Sequence, residues 1–257
     1  MGGLRGRRAA DGLMPLDDAL GALGGDGVMG RRFAEVPLGR IVGTSARACD
    51  FDAEFKLVNR RLRDRWHGVA KVMESGSEPP VDLVQLGELY FVVDGHHRVS
   101  VARARGWPVV PAQVVQICTI AYAMGCLRLA HLPSKAAERR FLDRVPLPAD
   151  VRADLWLDEP ADWSRLADAA ESWAFRRALD GRPFTDREEL AGVWWRDEVL
   201  PVITRLRDAG KCVDLRDVET YAVALATRDH HGWHVWPEDL PERVGAPARQ
   251  GVRRLGR

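Results

Sequence analysis

The sequence predicts an α/β (α+β) domain followed by a mainly helical, tryptophan-rich region. Three observations lead there. Between residues 35 and 117, apolar runs of β character alternate with stretches of helical period. One all-apolar run, Leu89–Val93, passes directly into Asp94-Gly95-His96-His97-Arg98 and then a helical segment. From Ala121 onward the β signal fades, and spacings of three and four dominate in a stretch rich in tryptophan.

In chain order, residues 1 to about 30 are Gly-, Arg-, Ala- and Asp-rich without a sustained period, which predicts a mobile arm with one short helix near Leu16–Leu23. Glu35–Val42 reads as a short extended segment closed by Gly43. Asp50 is a good helix N-cap. After it Phe51, Phe55, Val58, Leu62, Trp66, Val69 and Met73 recur at helical spacing, ending at Ser75-Gly76-Ser77. That predicts one long helix. Its other side carries Lys56, Arg60, Arg63, His67 and Lys71 at the same spacing, a basic stripe able to follow a nucleic-acid backbone or simply to face solvent.

After Pro79-Pro80 the period becomes that of a hairpin, Val81–Leu86 and Leu89–Val93 around Gly87-Glu88. The second run is apolar throughout, as a central strand buried on both faces would be. Val99–Arg105 continues as a helix stopped by Gly106, and Val109–Ile117 forms another strand. Helices are then expected at 119–131, 134–143, 149–156, 162–179, 186–209 and 217–228, with Pro201 bending the fifth or starting a new one. Val193–Leu200, with its paired tryptophans, reads as core rather than a ligand box.

Composition excludes several classes. The chain is 46% apolar and 29% charged with a formal net charge of +1, so bulk charge makes no case for nucleic acid. Arginines gather near both ends (Arg5, Arg7 and Arg8; Arg253, Arg254 and Arg257), as solvated tails do. Four cysteines without a CxxC pair suggest neither a disulfide frame nor a zinc ribbon. No apolar run approaches the ~20 residues of a membrane span, and a cytoplasmic protein is expected. His230 and His234 stand four apart, but Gly232 between them argues against a shared helical metal site.

The segment Asp94–Arg98 carries the chemistry. A strand ends, glycine permits a tight turn, and a helix begins whose first amides lack helical partners. With the helix dipole they form an anion site. Arg98 can add bidentate bonds to phosphate, and His96 and His97 can donate bonds or exchange a proton. Asp94 repels naked phosphate, so its options are a magnesium ion bridging to phosphates, a proton from an attacking hydroxyl, or the helix cap.

Residues 35–117 resemble a ParB/sulfiredoxin domain, with Val36-Pro37-Leu38-Gly39-Arg40-Ile41 as its opening strand and Phe91–Ala102 as its strand–glycine–arginine–helix signature. ParB proper reads G-E-R-R here and binds CTP. Gly95 and Arg98 match that pattern, His96 and His97 depart from it, and no helix-turn-helix match follows residue 118. Sulfiredoxin reads G-G-C-H-R, and His96 stands where its thiol would be. The D-G-H-H-R pattern is that of the superfamily's free-serine kinases. That resemblance implies a small mixed sheet with helices, and a nucleotide (ADP/ATP or CTP) with magnesium as cofactor. It further implies phosphate transfer to a small hydroxyl substrate. It makes Asp94 and His96 catalytic, Asp94 the magnesium ligand, and Gly95, His97, Arg98 and Ser100 the phosphate-binding set. Those kinases need a glutamate soon after the first strand, for which Asp50 and Glu54 are the acids at hand.

The expected organisation is a flexible basic arm (1–32), the ParB/sulfiredoxin-like domain (33–118), a helical region (119–240) and a basic tail (241–257). A second expectation, from a different class, is a non-catalytic DNA-associated protein with a nucleotide switch, its contacts carried by Lys56, Arg60, Arg63 and Lys71. Oligomeric state leaves no mark in the sequence.

Overall fold

The computed structural model describes residues 12–46, 49–76 and 78–245. The chain divides into two compact units, one running to Pro133 and the other from Ser134. Among the described residues no helix is long and apolar enough to cross a membrane. The outer parts of the expected arm and tail, residues 1–11 and 246–257, lie outside the described residues.

The N-terminal unit is built on a six-stranded mixed sheet of order β1-β3-β5-β4-β6-β2. Its strands are β1 (Met14–Pro15), β2 (Gly25–Pro37), β3 (Ile41–Thr44), β4 (Val81–Leu86), β5 (Leu89–Asp94) and β6 (Val109–Thr119). The hairpin read from the sequence is present: β4 and β5 are antiparallel, with Leu86 opposite Leu89 and Leu83 opposite Val92. β5 is interior, flanked by β4 and by parallel β3. It is buried from Leu89 to Val92 apart from half-buried Tyr90, and emerges at Val93 and Asp94. A register shift between Asp82 and Leu83 pairs Asp82 with Asp94 and leaves Val93 as the extra residue. Such a bulge kinks the strand where it leaves the sheet.

The mobile-arm expectation fails from residue 12 onward. Leu16–Leu23 is helix α1 as read, but Leu13, Met14 and Leu23 are buried, and Gly25–Pro37 pairs antiparallel with β6 as an edge strand. Nearly every residue of β2 is exposed, so burial imposes no alternation on its sequence.

The long helix from Asp50 is also corrected. Helix α2 spans only Arg63–Glu74, preceded by a 3₁₀ turn at Arg60–Leu62 that Asn59 caps. Residues 50–59 form a loop instead. The Asp52 carboxylate accepts the amides of Glu54 and Lys56 (3.0 and 2.8 Å), and Phe51 bridges to Leu57. An aspartate that bonds nearby amides offers the backbone an alternative to helix, and here it prevails over the apolar period. The loop still buries Phe51 and Phe55 in the core with Leu38, Val92, Val99 and Val101. Helix α3 (His96–Ala104) lies next to α2 in that core.

The C-terminal unit contains α4 (Leu132–Arg144), at whose start the division falls, α5 (Ala149–Arg152), α6 (Pro160–Leu179), α7 (Arg187–Trp194), α8 (Leu200–Asp208), α9 (Asp217–His231) and α10 (Leu240–Arg243). The expected helix at 119–131 is absent: β6 reaches Thr119, and the amides of Ile120 and Ala121 bond Gly24 and Leu23. Pro201 stands in the first turn of α8 and so starts a new helix, one of the two outcomes expected of it. A π-helical turn at Trp195–Val199 widens the backbone just before it, a local adjustment that accommodates a residue without an amide hydrogen. Trp163, Trp194 and Tyr221 are almost wholly buried, and Trp194 meets Tyr221 edge-on at 5.7 Å, so the aromatic stretch is core.

Inside this unit Lys135 Nζ and Glu138 Oε2 form an ion pair of 2.7 Å, with side chains 2% and 1% exposed. Nζ also lies 5.3 Å over the Trp156 ring. Removing one member of such a pair leaves a buried charge, whereas replacing both can be neutral. Lys135→Met is expected to cost about 3–5 kcal/mol in urea unfolding, and the Lys135→Met/Glu138→Leu double variant to recover most of it.

Candidate functional site

The site forms where β5 leaves the sheet. Gly95 adopts φ 96° and ψ 23°, a left-handed conformation that glycine adopts without strain. A Cβ there would lie 2.6 Å from Val81 Cγ1 and 3.0 Å from the Arg98 guanidinium, so close approach also demands glycine. The first helical bond of α3 runs from the Val99 amide to the Gly95 carbonyl, at 3.0 Å. The amides of His96, His97 and Arg98 therefore have no acceptor within the helix. A small cavity of about 110 Å³ lies against Asp94–Arg98, with Arg65 and Val69 of α2 on its other side.

Arg98 is engaged within the protein. Its Nη1 donates to the carbonyls of Pro79 and Pro80 (2.8 Å for the latter), and its Nη2 donates to Asp94 Oδ2 at 2.6 Å. The guanidinium side chain is 13% exposed and its partner carboxylate 72%. Arg98 thus fixes the Pro79-Pro80 approach to β4 against the end of β5, a structural task that the sequence reading did not assign to it.

The histidines face inward. His96 Nε2 lies 2.6 Å from the Thr44 hydroxyl, and its ring stacks on Phe51 at 6.1 Å; His97 meets the same ring edge-on at 5.4 Å. Both are buried, as is Ser100, whose hydroxyl accepts from Trp66 Nε1 at 2.9 Å.

Asp94, Gly95, His96, His97 and Arg98 thus gather at one small cavity, while Ser100 sits one turn further along, turned to Trp66. Asp50 and Glu54 are not among its lining residues: Asp50 Oδ1 accepts from Asn59 Nδ2 at 2.8 Å, and Glu54 lines a different cavity. Among the described residues Asp94 is the single carboxylate lining the turn cavity. Among the described residues no group of three metal-ligating side chains gathers anywhere. One carboxylate, already shared with Arg98, suits a magnesium ion only if phosphates and water fill its other positions.

The basic stripe is divided. Lys56 and Arg60 precede α2, so only Arg63, His67 and Lys71 share that helix, and Lys56, Arg63 and His67 line the second cavity. That cavity, of about 730 Å³, is bounded by the 54–57 loop, α2, α3 and Trp107. Burial pushes the Arg103 guanidinium in its wall down from the ordinary arginine value, with Glu54 and Asp52 opposing.

Sequence reasoning missed Arg65, Thr44 and the Trp66–Ser100 contact. Arg65 does carry a signal, standing four residues before Val69 on the face that meets α3. Thr44 reaches His96 only through the parallel pairing of β3 with β5. No family model matches the chain, and no curated protein does either.

Removing the guanidinium leaves the carbonyls of Pro79 and Pro80 without its bonds. Arg98→Met is expected to lower unfolding free energy by about 1.5–3 kcal/mol, the range for hydrogen bonds to charged groups. Asp94→Asn, at the exposed end of the pair, is expected to cost less than about 1 kcal/mol. An unchanged urea midpoint for Arg98→Met would show that the clamp does not matter to stability.

Proposed function

We propose that the N-terminal unit binds the phosphate group of a nucleotide or other phosphorylated small molecule at the β5–α3 turn. The observation that carries this reading is the left-handed Gly95. It sets the amino end of α3 at a cavity that Arg65 of α2 also lines. Helix amides and dipole favour an anion there, and Arg65 adds a charge. The resemblance to the D-G-H-H-R kinases supports the same placement.

In this reading Arg98 does not offer a free fork to the ligand. An arriving phosphate oxygen competes with the Asp94 carboxylate for Nη2, while Nη1 stays on the two proline carbonyls. His96 and His97, packed on Phe51, shape the floor of the site. Asp94, displaced and largely exposed, is then the group placed to take a proton from a hydroxyl acceptor, which is what transfer to a small substrate would require. As the alternative to that role as base, Asp94, the one carboxylate among the described residues lining the turn cavity, would hold a magnesium ion, which would supply charge neutralisation.

Binding raises the melting temperature by mass action, equivalent to about 2.7 kcal/mol at a ligand concentration of 100 Kd. ADP, ATP, CTP and inorganic phosphate, each with and without magnesium, are therefore to be compared by thermal shift. At least one is expected to stabilise the wild type, Arg65→Gln is expected to lose most of that shift, and Asp94→Asn to keep it. If ATP is also turned over with a small hydroxyl acceptor, Asp94→Asn is expected to abolish that turnover. No shift with any of these ligands would remove the reading.

A further inference from the structure

We infer that the N-terminal unit holds a second small-molecule site, separate from the phosphate turn, which takes a planar aromatic body bearing one carboxylate. The site is the cavity of about 730 Å³ beside α2 and α3, within the size range of small-molecule pockets. It shares no lining residue with the turn cavity. The inference does not rest on the phosphate reading.

The walls are aromatic and held in place. Phe55, Leu57, Trp66 and Trp107 line the cavity. Trp66 is oriented by its bond to buried Ser100. Phe55 has φ 59°, uncommon for a residue with a bulky side chain, and the surrounding loop enforces it. The Asp52 carboxylate takes the amides on either side of Phe55, and the Asp50 carbonyl takes those of Val58 and Asn59. A backbone held in a sparsely populated region at a cavity wall is the kind of local cost that functional sites retain. Flat apolar walls of this kind accommodate an aromatic ring by offset or edge contact.

Charge at the same cavity selects an anion. Arg103 is occupied: its Nη2 donates to the carbonyls of Leu38 and Ile41, its guanidinium lies 5.2 Å over the Phe55 ring, and Glu54, the carboxylate on the same lining, balances its charge. Lys56 and Arg63 remain on the lining, and neither forms an ion pair with any described residue. An aromatic carboxylate can pack its ring against Trp66, Trp107 and Phe55 while its charge meets Lys56 and Arg63. A neutral analogue gains only the packing.

The test uses 2-naphthoate and its neutral counterpart 2-naphthamide, titrated calorimetrically into the full chain. Naphthoate is expected to bind at one site per chain, and the amide at least about tenfold more weakly, since a charge-assisted bond is worth that much or more. In Lys56→Gln/Arg63→Gln the acid is expected to fall to the affinity of the amide. Gly39 lines the cavity, and a Cβ there would meet nothing within 4 Å, so Gly39→Trp is expected to fold and to abolish binding. Ala104→Trp, from an exposed position of α3 on the same lining, makes the same block if the first variant melts early. Saturating inorganic phosphate is expected to leave naphthoate binding unchanged. No binding of naphthoate, equal affinity for acid and amide, survival of binding in a folded blocking variant, or displacement by phosphate would each overturn the second site.

Discussion

The Arg98 guanidinium holds together three pieces of chain that would otherwise part where the sheet ends. Asp94 closes β5, Pro79 and Pro80 lead into β4, and Arg98 belongs to the first turn of α3; one side chain bonds all three. The constraint explains why residue 95 must be glycine, since the guanidinium and Val81 occupy the space a side chain would need. It also explains the sharpness of the turn. A strand that bulges at Val93 and reverses into a helix within two residues needs a tie across its mouth, and proline carbonyls, flanked by rings that donate nothing, are well suited to accept it.

The same tie shapes the electrostatics. An uncompensated arginine at a helix amino end would be the simplest phosphate trap, but Asp94 already supplies an anion to this one. In the proposed reading, phosphate binding at the turn would be an exchange of partners, its strength set by what Asp94 gains on release into solvent. With its carboxylate mostly exposed already, the desolvation recovered would be small, so on the proposed reading the helix amides and Arg65 would supply most of the attraction.

What the sequence revealed, and what it hid, follows from range. The hairpin around Gly87-Glu88, the interior strand β5 and the turn into α3 are local patterns, and each is present in the fold. The loop at 50–59 carried a helical period because Phe51 and Phe55 do face one core, but Asp52 decides the backbone through bonds only two and four residues long that no hydrophobic count registers. Of β2 only the end was legible, inside the extended segment read at Glu35–Val42, which a 3₁₀ turn at Leu38–Arg40 divides between β2 and β3. The rest, exposed along nearly its whole length, has no pattern of its own, and its pairing with β6 is set some eighty residues away. The five residues of the turn were legible as a group, yet their partners were not. Thr44, Pro79 and Pro80 reach His96 and Arg98 only after β3 and β4 flank β5.

The two cavities of the N-terminal unit are separate spaces, but they do not have independent walls. Phe51 and Phe55 belong to one loop, their rings 6.2 Å apart. Phe51 supports both histidines behind the turn, and Phe55 supports Arg103 in the wall of the larger cavity. On α3 the sequence of contacts is similarly continuous, from His96 at the turn, through Ser100 bonded to Trp66, to Arg103 bonded to Leu38 and Ile41. Close-packed interiors transmit a change of volume to their neighbours, so a larger side chain at Phe51 would be felt on both sides of the helix. That shared packing gives the strained loop its structural context. Asp52 holds Phe55 in a left-handed conformation within the same short loop that packs Phe51 against both histidines.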